Sequence, residues 1–302
     1  MFLKIATKPL QLVYLEELHG RILLTEMDRR KYFNLNLGYE GEEKVYEYLN
    51  NNCKGVCIWD IRLDLSGEIQ YDFLIIINGY IFILEIKNWY GHYTYSDGNF
   101  KSQSGFVNRE VFSQAANARD KLEVFCYEQN INHKIINEVV FVNDTFKVIN
   151  NVPDIKINSM ELIKELTKFI NQFDVSEEDI LLGKLLIKYH IDKSKNEQFN
   201  YYPYEKMKRG LKCPKCRRFL KHERNAKKNI RCECGYKMKK SEAIIEAFSK
   251  IEMLKREAVS ATEVGEWLDI SGARIRKVLS NHCITVGMNK NRKYISKDNW
   301  LR

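Results

Sequence analysis

Residues 70–87 read QYDFLIIINGYIFILEIK, and this stretch decides how the first half of the chain folds. It contains two runs of β-branched and aromatic residues, one on each side of Asn78-Gly79. This dipeptide is the strongest short-range signal for a two-residue type I′ turn. The sequence therefore predicts an antiparallel hairpin in which Ile77 faces Tyr80.

Four polar residues interrupt the apolar pattern of this hairpin. The predicted register places Asp72 opposite Glu85 and Gln70 opposite Lys87, and strand alternation directs all four to one face. Two facing carboxylates need a compensating charge, and a divalent cation such as Mg²⁺ accepts oxygen ligands of this kind. Lys87 adds a positive charge that can orient a water or offset charge on a phosphate. The alternative is a plain edge hairpin with a diagonal Asp72–Lys87 salt bridge and a solvated Glu85.

The surrounding sequence predicts one α/β unit over residues 38–190. Apolar residues at helical or strand spacing define its elements. The predicted helices cover 41–51, 110–128, 160–172 and 176–190, and the predicted strands cover 56–62, 70–77, 80–87 and 138–142. Ser176, followed by two glutamates, is a suitable N-cap for the last of these helices.

The motifs of this unit resemble those of a known family. Asp72, twelve intervening residues and then Glu85-Ile86-Lys87 resemble the PD-(D/E)XK nuclease motif, with Tyr71 where proline is frequent. The wider context resembles the nuclease-related domain (NERD) family over roughly residues 34–130. The shared residues are Gly38-x-x-Gly41-Glu42 before the hairpin, Asn88-Trp89-x-Gly91 after it, and Gln114 in the next helix.

This resemblance implies a restriction-endonuclease-like mixed sheet flanked by helices, and a nuclease-like site. Asp72 and Glu85 would bind Mg²⁺ or Mn²⁺, together with the backbone carbonyl of Ile86. The implied catalytic residues are Asp72, Glu85, Lys87, Glu42 and Gln114. From the residues alone, Glu42 can equally be a carboxylate that favours a helix N-terminus, and Gln114 an ordinary exposed helix residue.

Four of the eight cysteines form two close pairs. The pairs are Cys213-Pro-Lys-Cys216 and Cys232-Glu-Cys234. Two turns of this kind can supply four thiolates to one tetrahedral Zn²⁺, so the pattern predicts a zinc ribbon. The second pair has one intervening residue where two are usual. His222 in place of one cysteine, or four free thiols without zinc, are the alternatives.

The charge of the chain is concentrated in its last third. Residues 201–302 contain 26 Lys/Arg and 11 Asp/Glu, whereas residues 1–200 contain 23 and 29. Such a basic region indicates a polyanionic partner, with nucleic acid as the first candidate. A solvated lysine-rich surface and an anionic membrane surface are the weaker alternatives. The sequence has no apolar stretch of membrane-spanning length and no signal peptide, so a cytoplasmic location is expected.

The C-terminal residues predict a winged helix-turn-helix. Apolar residues at helical spacing indicate three helices, and Asp269-Ile-Ser-Gly272 separates the second from the third. Two short strands at 284–286 and 293–295 would form a basic wing. The residues predicted to contact DNA, all on the third helix, are Arg274, Arg276 and Lys277. The alternative is a three-helix module that binds a protein.

Five regions are therefore expected along the chain. They are an N-terminal extension (1–33), the NERD domain (34–192), a linker (193–209), the zinc ribbon (210–240) and the winged helix-turn-helix (241–302). The first function hypothesis is a Mg²⁺-dependent DNA nuclease that the ribbon and winged helix bring to its substrate. The second is a non-cleaving regulator that binds nucleic acid, and RNA is the alternative to DNA in both. The complete Asp72, Glu85 and Lys87 set favours the enzyme.

Overall fold

The computed structural model describes residues 1–150, 156–192, 194, 197–220, 229–270 and 272–297. Its helices are α1 (Leu10–Leu18), α2 (Glu26–Asn52), α3 (Val111–Glu128), α4 (Met160–Ile170), α5 (Glu177–Lys188), α6 (Lys240–Lys255), α7 (Ala261–Leu268) and α8 (Gly272–His282). Its strands are β1 (Phe2–Lys4), β2 (Val56–Asp64), β3 (Glu68–Ile77), β4 (Tyr80–Lys87), β5 (His92–Ser96), β6 (Asn99–Ser102), β7 (Val107–Arg109), β8 (Lys134–Phe141), β9 (Lys147–Val148), β10 (Asn229–Arg231), β11 (Lys237–Lys239), β12 (Val259–Ser260), β13 (Ile284–Val286) and β14 (Lys293–Ile295).

The chain forms two compact units. The first contains Met1–Pro9 and Arg30–Gln198, and the second contains Leu10–Arg29 and Phe199–Arg302. The region predicted as an N-terminal extension is thus divided, because β1 belongs to the first unit and α1 to the second.

A mixed five-stranded sheet organises the first unit. Its strand order is β1-β2-β3-β4-β8, with β1 parallel to β2, β4 parallel to β8, and the other neighbours antiparallel. Helices α3 and α5 contribute apolar residues to a core on one face, and α2 and α4 contribute to a core on the other. Strands buried on both faces are expected to be largely apolar, and the stretch from Phe73 to Leu84 in the central hairpin fits this expectation on both sides of its turn. The predicted mixed sheet flanked by helices is confirmed.

The central hairpin has the predicted turn and register. Asn78 and Gly79 both have positive φ, 45° and 76°, as a type I′ turn requires. The ladder between β3 and β4 runs from Ile77–Tyr80 to Phe73–Leu84 and ends there.

Helix α2 begins much earlier than predicted. The sequence predicts a start at Gly41, but the helix starts at Glu26, where the Thr25 hydroxyl accepts the Asp28 N–H at 3.2 Å. Gly41 therefore lies inside the helix. A Cβ at this position would lie 2.5 Å from the Asn88 Cβ, so glycine is needed here for close packing and does not end the helix.

A second, four-stranded sheet in the first unit was not predicted. Its order is β7-β6-β5-β9. Asp97 and Gly98 form the turn between β5 and β6, again with positive φ at both residues (50° and 79°). The Asp-Gly dipeptide is a hairpin signal of the same kind as Asn-Gly. The sheet escaped prediction because its strands are short and largely polar. Strand β8 also begins at Lys134, four residues before the predicted Glu138.

The second unit contains the helices and hairpin predicted at the C-terminus. Strands β12, β14 and β13 form a three-stranded sheet next to α6, α7 and α8 in sequence. The Ser260 hydroxyl caps α7 by accepting the Glu263 N–H at 3.2 Å. Ile275 and Leu279 of α8 are buried, as the helical spacing predicts.

Helix α1 packs within the second unit through buried leucines and polar contacts. The Lys212 ammonium donates to the carbonyls of Glu16, Glu17 and His19 at 2.7, 2.7 and 2.8 Å. These carbonyls lie at the C-terminal end of α1, where backbone acceptors have no partner inside the helix. The cysteine-bearing segment is therefore anchored to a helix from the start of the chain, at Lys212.

The segment predicted as a linker also makes contacts in the second unit. The rings of Phe199 and Tyr201 lie 5.6 and 5.9 Å from the ring of Tyr14. The Arg256 guanidinium lies 3.5 Å from the centroid of Tyr201. This stretch lacks the periodicity of a helix or strand, which is why its packing could not be read from the sequence.

Candidate functional site

An acidic cluster lies at the end of the central hairpin. Asp72 is on β3, Glu85 and Lys87 are on β4, and Glu42 is on α2. The Ile86 N–H donates to Asp72 Oδ2 at 2.7 Å, and Lys87 Nζ lies 2.5 Å from Glu85 Oε1. The structure thus brings together four of the five predicted catalytic residues.

The prediction of this cluster assumed that β3 and β4 stay paired as far as Asp72 and Glu85, but the pairing ends before these residues. The β3–β4 ladder stops one pair before Asp72 and Glu85, and the Asp72 carboxylate accepts the Ile86 N–H beyond the end of the ladder. Gln70 is not the partner of Lys87. Its amide donates to Asp60 Oδ1 at 2.8 Å, on the neighbouring strand.

A local irregularity in β2 and β3 accounts for this difference. Ile58 and Ile61 belong to the same apolar cluster, and so do Tyr71 and Leu74. Residues three apart in a regular strand point to opposite faces, so alternation is broken in both strands. The break in β2 lies at Asp60, whose φ is +59°. Residues with a left-handed backbone conformation of this kind are frequent at functional sites.

Glu42 is held by a buried indole. Its Oε2 accepts a hydrogen bond from Trp59 Nε1 at 2.8 Å. Burial, and then the charges of Asp60 and Glu85, raise the pKa of Glu42 to about 7, against the opposing effect of the Trp59 hydrogen bond. A carboxylate reaching the sheet from α2 was predicted, but Trp59 was not.

Burial and neighbouring charges also shift the pKa values of Asp72 and Lys87. Burial raises the pKa of Asp72 well above its ordinary value, and the charges of Glu85 and Glu42 raise it further. Burial lowers the pKa of Lys87, but attraction to Glu85 and Asp72 outweighs this effect, so the pKa is raised. With all three carboxylates ionised, the cluster would carry more negative charge than one lysine balances.

This donor set fits a divalent cation. Carboxylate oxygens are the ligands that hard cations prefer, and a cation would offset the burial and, after it, the mutual repulsion that raise the pKa values of Asp72 and Glu42. The Ile86 N–H is committed to Asp72, which fixes the orientation of that carboxylate.

Gln114 stands apart from the other predicted catalytic residues. It lies in the first turn of α3, with an exposed side chain and a backbone N–H bonded to the Glu110 carbonyl at 2.8 Å. Within the described part of the chain, the Gln114 side chain makes no hydrogen bond to the acidic cluster.

Two asparagines fix α2 against the end of β4. Asn88 Nδ2 donates to the Leu37 carbonyl at 2.8 Å, and Asn143 Nδ2 donates to Asn88 Oδ1 at 3.0 Å. Together with the close approach at Gly41, these bonds set the position from which Glu42 extends. The sequence motifs contained Gly41 and Asn88, but only the structure shows that they contact each other.

The four paired cysteines converge in the second unit. Their sulfur atoms all lie within 4.8 Å of one another, with Cys213–Cys234 at 3.6 Å and Cys216–Cys232 at 3.4 Å. Hydrogen bonds from the backbone and side chain of Arg218 lower the pKa of Cys216 to about 6. These four residues could hold a metal ion such as zinc.

Each cysteine pair lies on a tight turn. The Cys213 N–H donates to the Arg218 carbonyl at 2.8 Å, and the Cys232 N–H donates to the Tyr236 carbonyl at 2.9 Å. Gly235 has a φ of +86°, which the second turn requires. Among the described residues, no other group of three or more potential metal ligands is gathered so closely, and the carboxylates around Asp72 are not. The alternative ligand His222 lies outside the described residues.

The three basic residues predicted to contact DNA are exposed. Arg274, Arg276 and Lys277 lie on α8, while Ile275 between them is buried. None of the helices in the described ranges has the length and apolarity needed to cross a membrane.

The acidic cluster lies in the part of the first unit that a family model covers. Residues 37–143 match the family model described as the nuclease-related domain, NERD. A nuclease-related domain therefore occupies about a third of the chain, and the predicted resemblance is confirmed. No curated protein and no solved structure matches the chain.

Proposed function

We propose that the protein is a metal-dependent nuclease that hydrolyses phosphodiester bonds in DNA. The observation that carries this proposal is the half-buried Asp72 beside Glu85 and Lys87, within a domain related to nucleases. Burying like charges is unfavourable without a compensating cation. A structural salt bridge would need one carboxylate for Lys87, whereas this cluster has three.

The chain's own residues have distinct roles in this reaction. Asp72 and Glu85 would hold Mg²⁺ or Mn²⁺ with the Ile86 carbonyl, and Glu42 would add a further acidic contact. The cation, when bound, polarises the scissile phosphate. Water attacks phosphorus and one P–O ester bond breaks, giving a phosphate monoester and an alcohol. Lys87 orients the water or offsets the charge that develops on the phosphate. Gln114 keeps only the supporting role that the family resemblance implies.

The cysteine cluster is proposed to hold one Zn²⁺ in a structural role. Four thiolates from two turns complete a tetrahedral site and leave no position open for a substrate. The ion would tie together the segments around Cys213 and Cys232, which lie on separate turns. This interpretation is supported by the sulfur spacing of 3.4–3.6 Å within the two closest contacts.

The basic C-terminal region is proposed to bring the nuclease to DNA. Residues 204–240 contain 15 Lys/Arg and only three acidic residues, which favours contacts with phosphates. The helices and hairpin that follow are proposed to act as a winged helix, with Arg274, Arg276 and Lys277 at the DNA.

A cleavage assay tests the proposal. The full chain is incubated with supercoiled plasmid, linear duplex DNA and RNA, in Mg²⁺, in Mn²⁺ and with a chelator. We expect cation-dependent cleavage of DNA by the native protein and none by Asp72→Ala. Cleavage that persists in Asp72→Ala means that the site lies elsewhere. A protein that binds DNA but cleaves no substrate with either cation is the non-cleaving regulator.

A further inference from the structure

The Trp59 side chain is buried and has one polar atom, Nε1. It is 2% exposed and lies on β2. Its ring stacks on Tyr46, with centroids 4.8 Å apart and planes at 24°, and on Phe73, with centroids 5.6 Å apart and planes at 15°. These two contacts fix the plane of the indole, and they therefore fix the direction of its N–H bond.

That N–H bond is directed at the acidic cluster. Trp59 Nε1 donates to Glu42 Oε2 at 2.8 Å, a normal length for a hydrogen bond to a carboxylate. Trp59 immediately precedes Asp60, where the positive φ breaks the alternation of β2. The irregular strand thus places an immobile donor beside a carboxylate that extends from a different element.

We propose that Trp59 is a positioning residue for the divalent-cation site and acts through Glu42. Glu42 faces the charges of Asp60 and Glu85, and this repulsion would drive a free glutamate side chain away from the cluster. The indole N–H holds one carboxylate oxygen in place and leaves the other available to the site. The rotamer entropy of Glu42 is then lost on folding and no longer opposes cation binding. This inference rests on the proposed function.

The test measures Mn²⁺ affinity in the full chain with its zinc retained, by calorimetry. Trp59→Phe keeps an aromatic ring in the stack and removes the N–H donor together with part of the ring surface. We expect it to weaken Mn²⁺ binding on the order of 10-fold, as loss of a residue that orients a metal ligand does. Tyr46→Phe removes a polar atom from the adjoining ring of the same stack, and we expect it to change the affinity less than about twofold.

A double-substitution cycle separates positioning from general packing. In a Glu42→Gln background, Trp59→Phe is expected to have almost no further effect on Mn²⁺ affinity. An equal loss in both backgrounds would show that Trp59 acts through packing and would overturn the inference. So would an unchanged affinity in Trp59→Phe alone.

A measurement on the unsubstituted chain covers the case in which Trp59→Phe folds poorly. The ¹⁵N-indole NMR signal of Trp59 is expected to shift as Mg²⁺ is added. The Mg²⁺ concentration at which the shift is half complete is expected to match the affinity of the site. A signal that saturating Mg²⁺ leaves unmoved also overturns the inference. If no cation site sensitive to Asp72→Ala exists, the proposed function fails and this inference fails with it.

Discussion

The acidic cluster and the cysteine cluster contrast in how they are assembled. The cysteines come from two turns between residues 213 and 234, and each turn positions its own pair. The acidic cluster takes Glu42 from a helix, Asp72 from one strand, and Glu85 and Lys87 from another. A local site can be recognised from residue spacing, whereas a site built from several elements depends on how those elements pack.

The two clusters also differ in how strongly their members repel one another. The cysteine sulfurs lie as close as 3.4 Å, a distance at which one sulfur donates a hydrogen bond to the other. The carboxylates around Asp72 are less tightly gathered, and they are partly restrained by neutral donors such as Ile86 N–H and Trp59 Nε1. The acidic site therefore relies on surrounding residues for its geometry, whereas the two turns by themselves bring the four cysteine sulfurs together.

The largest effect is expected in the cysteine cluster. Cys232→Ser should remove the bound Zn²⁺ and lower the thermal stability of the second unit, because structural zinc contributes on the order of 10 kcal/mol in small domains. Metal analysis and calorimetry measure both changes. Cys283→Ser is the matched control, since Cys283 is a buried cysteine of the same unit outside the cluster. Zinc content that is equal in both variants would contradict the ribbon.

The carboxylates should have the next largest effect. Asp72→Asn and Glu85→Gln keep side-chain size but remove charge, and each is expected to reduce cleavage on the order of 10³-fold or more through loss of the cation. Plasmid cleavage measures the rate, and Mn²⁺ binding measures the site. Glu165→Gln on α4 is the control, because Glu165 is exposed and distant in sequence. Zinc content should stay constant in all three, and a loss of zinc would show that the two clusters are not independent.

Replacing Lys87 separates cation binding from the cleavage rate within the acidic cluster. Lys87→Ala should reduce cleavage on the order of 10²-fold while cation binding is retained, because the lysine stabilises charge and does not ligate the cation. Rates and Mn²⁺ affinity are measured on the same preparation. If affinity falls as far as in Asp72→Asn, the ammonium serves the structure of the site and not its chemistry.

Substitutions on α8 are expected to have the smallest effect, and this effect is on DNA-binding affinity. Arg274→Ala with Lys277→Ala should weaken duplex DNA binding about tenfold in the inactive Asp72→Asn chain. The slope of log affinity against log salt should become shallower by about one for each phosphate that the helix no longer neutralises. Lys184→Ala with Lys188→Ala on α5 removes the same charge from the first unit and serves as the control. Equal weakening in the two double variants would point to net charge alone, without a docked helix.

Local signals predicted much of this fold correctly. Asn78-Gly79 set a hairpin with the observed register, and apolar spacing located α3, α4 and α5 to within a few residues. Gly41 shows where such signals mislead. A glycine favours the end of a helix in isolation, but here α2 passes through it because Asn88 packs against the bare backbone.

The sequence by itself determined the identity of the chemical groups: two carboxylates and a lysine on a hairpin, four cysteines in pairs, and a basic C-terminal third. These depend on residue type and on spacing over a few residues. The tertiary structure alone decided that Trp59 binds Glu42, that Gln70 faces Asp60 and not Lys87, and that α1 packs in the second unit. Such contacts join residues 10 to nearly 200 positions apart, and no periodicity along the chain encodes which partners meet.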